Sequence, residues 1–126
     1  MNLLDSNIVI YAGQAGHQWL QQLLNPLPCA VSVATKIEVL GYHALTPADK
    51  VDLESFFDAR LNLEATHAIA ERAVILRQQR KMGLGDSIIA ATALEHDLLL
   101  VTRNTDDFDW IPGLRLWNPF VQQPAA

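Results

Sequence analysis

The chain has 126 residues, half of them hydrophobic, which is enough for one domain with a full core and no covalent cross-links. Its single cysteine, Cys29, excludes an intramolecular disulfide and a thiolate metal site. No apolar stretch reaches the roughly 20 residues that a bilayer-spanning helix needs, and the N-terminus lacks the basic-then-apolar layout of a signal peptide. We therefore expect a cytoplasmic protein that does not enter the membrane.

The formal net charge of −5 argues against unspecific binding of long nucleic acids, because an acidic surface repels phosphates. Four acidic residues, discussed below, account for most of this excess. Without them, nine basic residues stand against ten acidic ones. A nucleic acid that is recognised locally therefore stays open as a substrate.

Short apolar runs alternate with longer segments of helical periodicity along the chain. Strands are predicted at residues 2–4, 29–33, 61–64, 98–102 and 114–117. Helices are predicted at residues 6–12, 17–24, 35–43, 47–59, 67–83 and 86–96. This alternation indicates an α/β fold of three layers, with a central parallel sheet covered by helices on both faces. Residues 1–121 are expected to form the domain, and residues 122–126 a disordered tail.

Four acidic residues stand at the edges of these predicted elements: Asp5, Glu38, Asp86 and Asp107. Asp5 and Asp107 each come just after a predicted strand, and Glu38 follows the second strand by about a turn of helix. Asp86 opens the most apolar helix. Sites in parallel sheets form at the carboxyl ends of the strands, so we expect these carboxylates to meet there.

Each acid also has a purely structural explanation. Asp5 could cap the first helix, and Glu38 completes a capping-box pattern with Thr35. Asp86 could cap the helix that it opens, and Asp107 lies in a polar turn. Four acids at one edge of a sheet are more than helix caps require, but no single one of them decides between the two explanations.

Carboxylates at one site would be suited to Mg²⁺ or Mn²⁺, which prefer carboxylate and water oxygens. Four of them could hold one or two ions, and phosphodiester hydrolysis uses such an arrangement. Polar residues beside the acids could orient them, bind water or hold a phosphate, although strand-end turns would use the same residue types. These supporting candidates are Ser6, Asn7, Thr102 and Asn104.

Four basic residues are candidates for contact with a nucleic-acid substrate. Arg103 lies next to Thr102 and Asn104. The other three share one face of a predicted helix, where they could guide a nucleic acid or form an ordinary solvated surface. They are Arg77, Arg80 and Lys81.

The ordered set of motifs around these acids resembles the PIN-domain family. Each motif is weak alone, but the set spans most of the chain in the family's order. The motifs are Leu3-Leu4-Asp5-Ser6-Asn7, Ile37-Glu38-Val39-Leu40-Gly41, Gly85-Asp86-Ser87-Ile88-Ile89-Ala90-Ala91 and Leu100-Val101-Thr102-Arg103-Asn104-Thr105-Asp106-Asp107-Phe108. Ser6 stands where Thr is commoner, a departure that keeps the hydroxyl.

Size and layout are most similar to the VapC-type toxins of toxin–antitoxin pairs. That resemblance implies a Mg²⁺- or Mn²⁺-dependent ribonuclease, a cognate antitoxin that occludes the site, and frequent homodimerisation. It also implies that the metal-site acids are Asp5, Glu38, Asp86 and Asp107. Asp106 is a rival for the last position, and Asp107 is preferred because it directly precedes Phe108.

Two other functions compete with this hypothesis. The chain could be a non-catalytic interaction module with a vestigial site, although all four acids are present. It could also be a phosphoacceptor or aspartyl phosphotransferase domain. That class would call for Asp-x-Asp after the first strand, where Asn7 stands instead, and for a late lysine, whereas none follows Lys81.

Overall fold

The structure is a computed structural model that describes residues 1–121. The predicted tail, residues 122–126, lies outside the described residues. Within residues 1–121, no helix is long and apolar enough to cross a membrane.

The described part of the chain contains one sheet of five strands, all parallel, in the order β3-β2-β1-β4-β5. The strands are β1 (Asn2–Leu4), β2 (Cys29–Ser32), β3 (Leu61–Leu63), β4 (Leu99–Val101) and β5 (Leu116–Trp117). β1 is central, with Leu3 paired to Ala30 of β2 and to Leu100 of β4. The carboxyl ends of β1, β2 and β4 are therefore neighbours at one edge.

Six α-helices cover the sheet within residues 1–121. They are α1 (Ser6–Ala12), α2 (Gln18–Leu24), α3 (Val33–Leu40), α4 (Pro47–Asp58), α5 (His67–Gln79) and α6 (Leu84–His96). A short 3₁₀ turn at Thr105–Asp107 follows β4.

Two hydrophobic cores lie on opposite faces of the sheet. Successive strand residues point to opposite faces, so Leu3 packs with Ile69 of α5 and Ile89 of α6. Leu4 packs in the other core with residues of α1, α2, α3 and α4, among them Phe57. The predicted three-layer α/β/α arrangement is thereby confirmed.

Several predicted boundaries are wrong by a few residues because the helix caps differ from those expected. α3 begins at Val33, not residue 35, since the side chain of Ser32 accepts a hydrogen bond from Thr35 N at 3.3 Å. α6 begins at Leu84 with Gly83 as its N-cap. α5 ends at Gln79 rather than residue 83, because the backbone becomes extended at Arg80.

Candidate active site

Asp5 is the buried anchor of the site, with only 4% of its surface exposed. It follows β1 and caps α1, and its Oδ1 accepts from Ser6 N at 2.8 Å. Its Oδ2 accepts from Thr102 Oγ1 at 2.7 Å and from Asn7 Nδ2 at 3.1 Å. Burial raises the pKa of Asp5, and the hydrogen bonds partly oppose that rise. The structural explanation for Asp5, that it caps the first helix, is thus confirmed, and its role in a metal site stays a prediction.

Asn7 and Thr102 tie the ends of β1 and β4 together around Asp5. The Asn7 Oδ1 accepts from Arg103 N at 3.2 Å, and Thr102 Oγ1 accepts from Asn104 N at 3.0 Å. Thr102 was one of the supporting candidates, and its hydroxyl donates to Asp5 rather than to Asp107, the acid that follows it in the sequence. The supporting residues therefore serve the first acid more than the last.

Glu38 projects from α3 beside the start of α1 and is exposed. Ser6 Oγ donates to Glu38 Oε1 at 3.0 Å and lies 3.3 Å from Thr35 Oγ1. The capping-box explanation for Glu38 is wrong, because Ser32 is the N-cap of α3 and Thr35 lies inside the helix. No helix-capping role accounts for this glutamate.

Asp86 lies in the first turn of α6, next to Gly85, whose backbone approaches the carboxylate of Glu38. A Cβ atom added at Gly85 would lie 2.8 Å from Glu38 Oε1, so the helix backbone approaches that carboxylate closely. Asp86 is not the N-cap of α6, because Gly83 holds that position. Burial, followed by the charges of Asp5, Asp107 and Glu38, raises the pKa of Asp86 to about 6. The other three predicted acids therefore all lie close enough to Asp86 to raise its pKa.

The fourth acid comes from the 3₁₀ turn after β4. Asp107 N donates to Asn104 O at 3.1 Å, so Asn104 fixes the backbone of this turn, while no side-chain hydrogen bond of Asn104 caps it. The charge of Asp107 helps to raise the pKa of both Asp5 and Asp86, whereas Asp106 is not among the causes for either. This favours Asp107 over Asp106.

The four carboxylates share a neighbourhood without forming a tight cluster. Within residues 1–121, no three His, Cys, Asp or Glu side chains are close enough together to hold a metal ion as they stand. The donor set still suits Mg²⁺ or Mn²⁺, because it is all oxygen and carries like charges that a cation would relieve. Glu38 and Asp107 are exposed, so their side chains have room to move towards Asp5 and Asp86.

A cleft of about 560 Å³ opens beside Asp86, Asp106 and Asp107. Its basic lining consists of Arg77, Arg80 and Lys81. The prediction that all three lie on one helix face is wrong, because α5 ends at Gln79 and only Arg77 lies within it. The guanidinium of Arg80 lies 5.6 Å from the ring centroid of Trp110, which also lines the cleft. The three cations thus face the same space as two of the acids. Arg103 points elsewhere, over the rings of Tyr11 and Phe120.

Sequence reasoning missed residues that shape the site without carrying charge. Gly85 permits the close approach of α6 to Glu38, and Ser32 sets the start of α3. Thr35 and Asn118 complete the hydrogen-bonded surroundings of Ser6 and Arg103. Gly85 stands directly before Asp86 in the third motif, and that position was the one signal of its role. Ser32 and Asn118 carry no distinctive local pattern.

The PIN-domain family model matches residues 3–114, and this chain belongs to the PIN-domain family. Among curated relatives, it is 43% identical to the tRNA(fMet)-specific endonuclease VapC of Shigella flexneri, over 90% of this chain and 93% of that one. It is 31% identical to Ribonuclease VapC10 of Mycobacterium tuberculosis, over 91% of each. A solved toxin–antitoxin complex from Klebsiella pneumoniae contains a chain with 35% identity and a TM-score of 0.74, covering 94% of this chain and 98% of that one.

Proposed function

We propose that this chain is a VapC-type toxin ribonuclease that hydrolyses RNA phosphodiester bonds with Mg²⁺ or Mn²⁺ at Asp5, Glu38, Asp86 and Asp107. The observation that carries the proposal is the meeting of the segments that follow β1, β2 and β4 beside the start of α6. Burial and the charges of Asp5, Asp107 and Glu38 there raise the pKa of Asp86 to about 6. Like charges gathered at one edge of a sheet are costly unless a cation binds among them.

The four acids have different roles in this proposal. Asp5 is held rigidly by three hydrogen bonds, and Glu38 is oriented by the Ser6 hydroxyl. A bound divalent cation would supply an acidified water and positive charge against the reacting phosphate. Asp86 and Asp107 face the cleft in which the scissile phosphate would lie.

The basic lining of the cleft would hold the RNA strand. Arg77, Arg80 and Lys81 bring positive charge to the space beside Asp86, where phosphates would otherwise be repelled. Trp110, next to Arg80, offers a ring for a base. These contacts would let an acidic protein bind a nucleic acid locally.

The partner of the toxin would be a cognate antitoxin that occludes the site. A chain 35% identical to this one occurs in a solved toxin–antitoxin complex, which supports the proposal. We also propose that the protein acts in the cytoplasm, where RNA is found. Homodimerisation, implied by the resemblance to VapC toxins, stays a prediction.

The direct test is cleavage of end-labelled tRNA and of single-stranded RNA by the purified chain. We expect cleavage with Mg²⁺ or Mn²⁺, none with EDTA, and a loss of more than about 100-fold in Asp5→Asn. Residues that only orient metal ligands cost about 10–100-fold, so a ligand should cost more. Asp106→Asn is the matched control and should retain activity.

Cleavage that survives both EDTA and Asp5→Asn would overturn the proposal. Specific RNA binding with no cleavage under any metal would instead support the non-catalytic alternative. An acid-labile aspartyl phosphate would be needed to revive the phosphotransferase alternative, which the PIN-domain match disfavours.

A further inference from the structure

Four rings gather beside α1 and the end of the described chain. They are defined here as the aromatic cluster: Tyr11, His17, Trp19 and Phe120. Phe120 is at its centre, with ring centroids 5.3 Å from Tyr11, 5.7 Å from His17 and 5.1 Å from Trp19, all in edge-to-face geometry. Such pairs are mutually favourable and hold Phe120 in a defined place.

The guanidinium of Arg103 lies on this cluster. Its Cζ is 4.2 Å from the centroid of Phe120 and 4.9 Å from that of Tyr11, within the range of a cation–π contact. Asn118 joins the two partners, because its Nδ2 donates to Arg103 O at 3.1 Å and its Oδ1 accepts from Phe120 N at 2.9 Å. Arg103 and Phe120 are thus built as one unit.

That unit is attached directly to the candidate active site. Arg103 N donates to Asn7 Oδ1, and Asn7 Nδ2 donates to Asp5. The preceding residue, Thr102, donates to the same carboxylate. Arg103 is therefore connected to Asp5 in two ways: through the side chain of Asn7, and through the neighbouring residue Thr102.

The guanidinium of Arg103 lies over the rings of Tyr11 and Phe120 rather than against one of the four acids. Within residues 1–121, Arg72 and Arg115 pair with carboxylates, whereas Arg103 has no ion pair. A fixed cation without an acidic partner among residues 1–121 suits an anionic ligand.

We infer that Arg103 binds an RNA phosphate flanking the cleaved bond, and that Phe120 and Tyr11 are positioning residues that hold its guanidinium in place; this rests on the proposed RNA substrate. The two rings contact the guanidinium, and within residues 1–121 its N–H donors make no hydrogen bond, which leaves them free to bind phosphate oxygens. Holding the side chain in advance reduces the freedom that it loses when RNA binds.

The test measures how strongly salt weakens the binding of a short, fluorescein-labelled single-stranded RNA. All variants carry Asp86→Asn so that the RNA is not cleaved. Arg103→Ala should lower the slope of log affinity against log salt by about 0.7, the value for one phosphate contact on a single strand. Arg103→Lys should keep the slope, because the charge remains. Arg115→Ala is the matched control and should leave the slope unchanged, because Arg115 pairs with Asp97 at the opposite edge of the sheet.

The positioning role of Phe120 is tested in the same assay. Phe120→Leu keeps an apolar side chain but removes the ring, and should weaken RNA binding about two- to fivefold, as expected for one exposed cation–π contact. Phe120→Tyr keeps the ring and should bind RNA as tightly as the chain with Phe120. In the Arg103→Ala background, Phe120→Leu should have no further effect, which a general loss of structure would not reproduce.

The outcomes separate this inference from the proposed function. An unchanged salt slope in a folded Arg103→Ala variant, or additive effects of Arg103→Ala and Phe120→Leu, would overturn the inference even if the unmutated chain cleaves RNA. A chain that neither binds nor cleaves RNA would overturn the proposed function and the inference with it.

Discussion

Asp86 shows how the site couples charge to stability. Its pKa is about 6 in the folded protein against 3.8 for the free side chain, with burial as the first cause and the three other acids next. A folded pKa above the unfolded one means that the folded state holds the proton more tightly. The resulting stability is complete below pH 3.8 and is lost as the pH rises through about 6.

Asp86→Asn should therefore stabilise the protein near neutral pH in EDTA. The amide has the shape of the carboxyl group but no charge to desolvate or repel. The urea midpoint of the variant should exceed that of the wild type at about pH 7.5, and the difference should vanish below the unfolded pKa. Equal urea midpoints for the variant and the wild type at both pH values would mean that burial and the neighbouring charges do not destabilise ionised Asp86.

Gly85 should matter for activity rather than for stability. In Gly85→Ala the new methyl group would meet Glu38 Oε1 at 2.8 Å, and the exposed end of that side chain would swing away. Because alanine favours a helix by about 1 kcal/mol over glycine, the melting temperature should not fall. RNA cleavage should fall, because the glutamate has been displaced.

Gly83→Ala is the matched control for this substitution, since nothing lies within 4 Å of a Cβ atom at that position. It should leave cleavage unchanged. Full activity in Gly85→Ala would show that Glu38 need not stay where the structure places it.

Among single residues, the sequence correctly placed the acids whose position depends only on where a strand ends. Asp5 follows β1 and Asp107 lies just past β4, and both fell at the expected edge. The hydrogen bond from Thr102 to Asp5 joins residues 97 apart, which no local pattern could reveal. Long-range pairing of this kind depends on which strands are neighbours.

At the scale of the element, two helix caps of similar chemistry should have different functional effects. Thr46 accepts from Asp49 N at 3.1 Å at the exposed start of α4, and Ser32 accepts from Thr35 N at the buried start of α3. Thr46→Ala should cost about 1 kcal/mol of unfolding free energy. Ser32→Ala should cost about 1–3 kcal/mol, because a buried N–H loses its partner.

Only Ser32→Ala should also reduce RNA cleavage, because α3 carries Glu38. Chemical denaturation and cleavage rates of the two variants check this together. An equal loss of cleavage in Thr46→Ala would indicate that activity follows general stability rather than the position of α3.

The same two caps show why the elements were only partly predictable. Thr46 precedes a proline at the first helical position, a strong local signal, and α4 begins at residue 47 as predicted. Ser32 is both the last residue of β2 and the cap of α3. A strand that passes directly into a helix leaves no loop residues to mark the boundary, so the predicted start of α3 was too late.

At the scale of the whole molecule, the strand order brings the acids together. β1 lies between β2 and β4, so the chain segments that follow these three strands emerge side by side with Asp5 in the middle. The alternation of strands and helices indicated a parallel sheet but not its order, because several crossover arrangements share one pattern. The start of α6, which brings Asp86 to this edge, could not be placed from the sequence for the same reason.

The central claim is that these acids close around a divalent cation, although they do not form a tight cluster as they stand. It is tested most directly by titrating the protein with Mn²⁺ and following free Mn²⁺ by electron paramagnetic resonance. The set comprises the wild type, the single variants Asp5→Asn, Glu38→Gln, Asp86→Asn and Asp107→Asn, and the control Asp106→Asn. We expect the wild type and Asp106→Asn to bind Mn²⁺ with the same affinity and the four other variants to bind more weakly. Mn²⁺ affinity that none of the four substitutions changes would contradict the account.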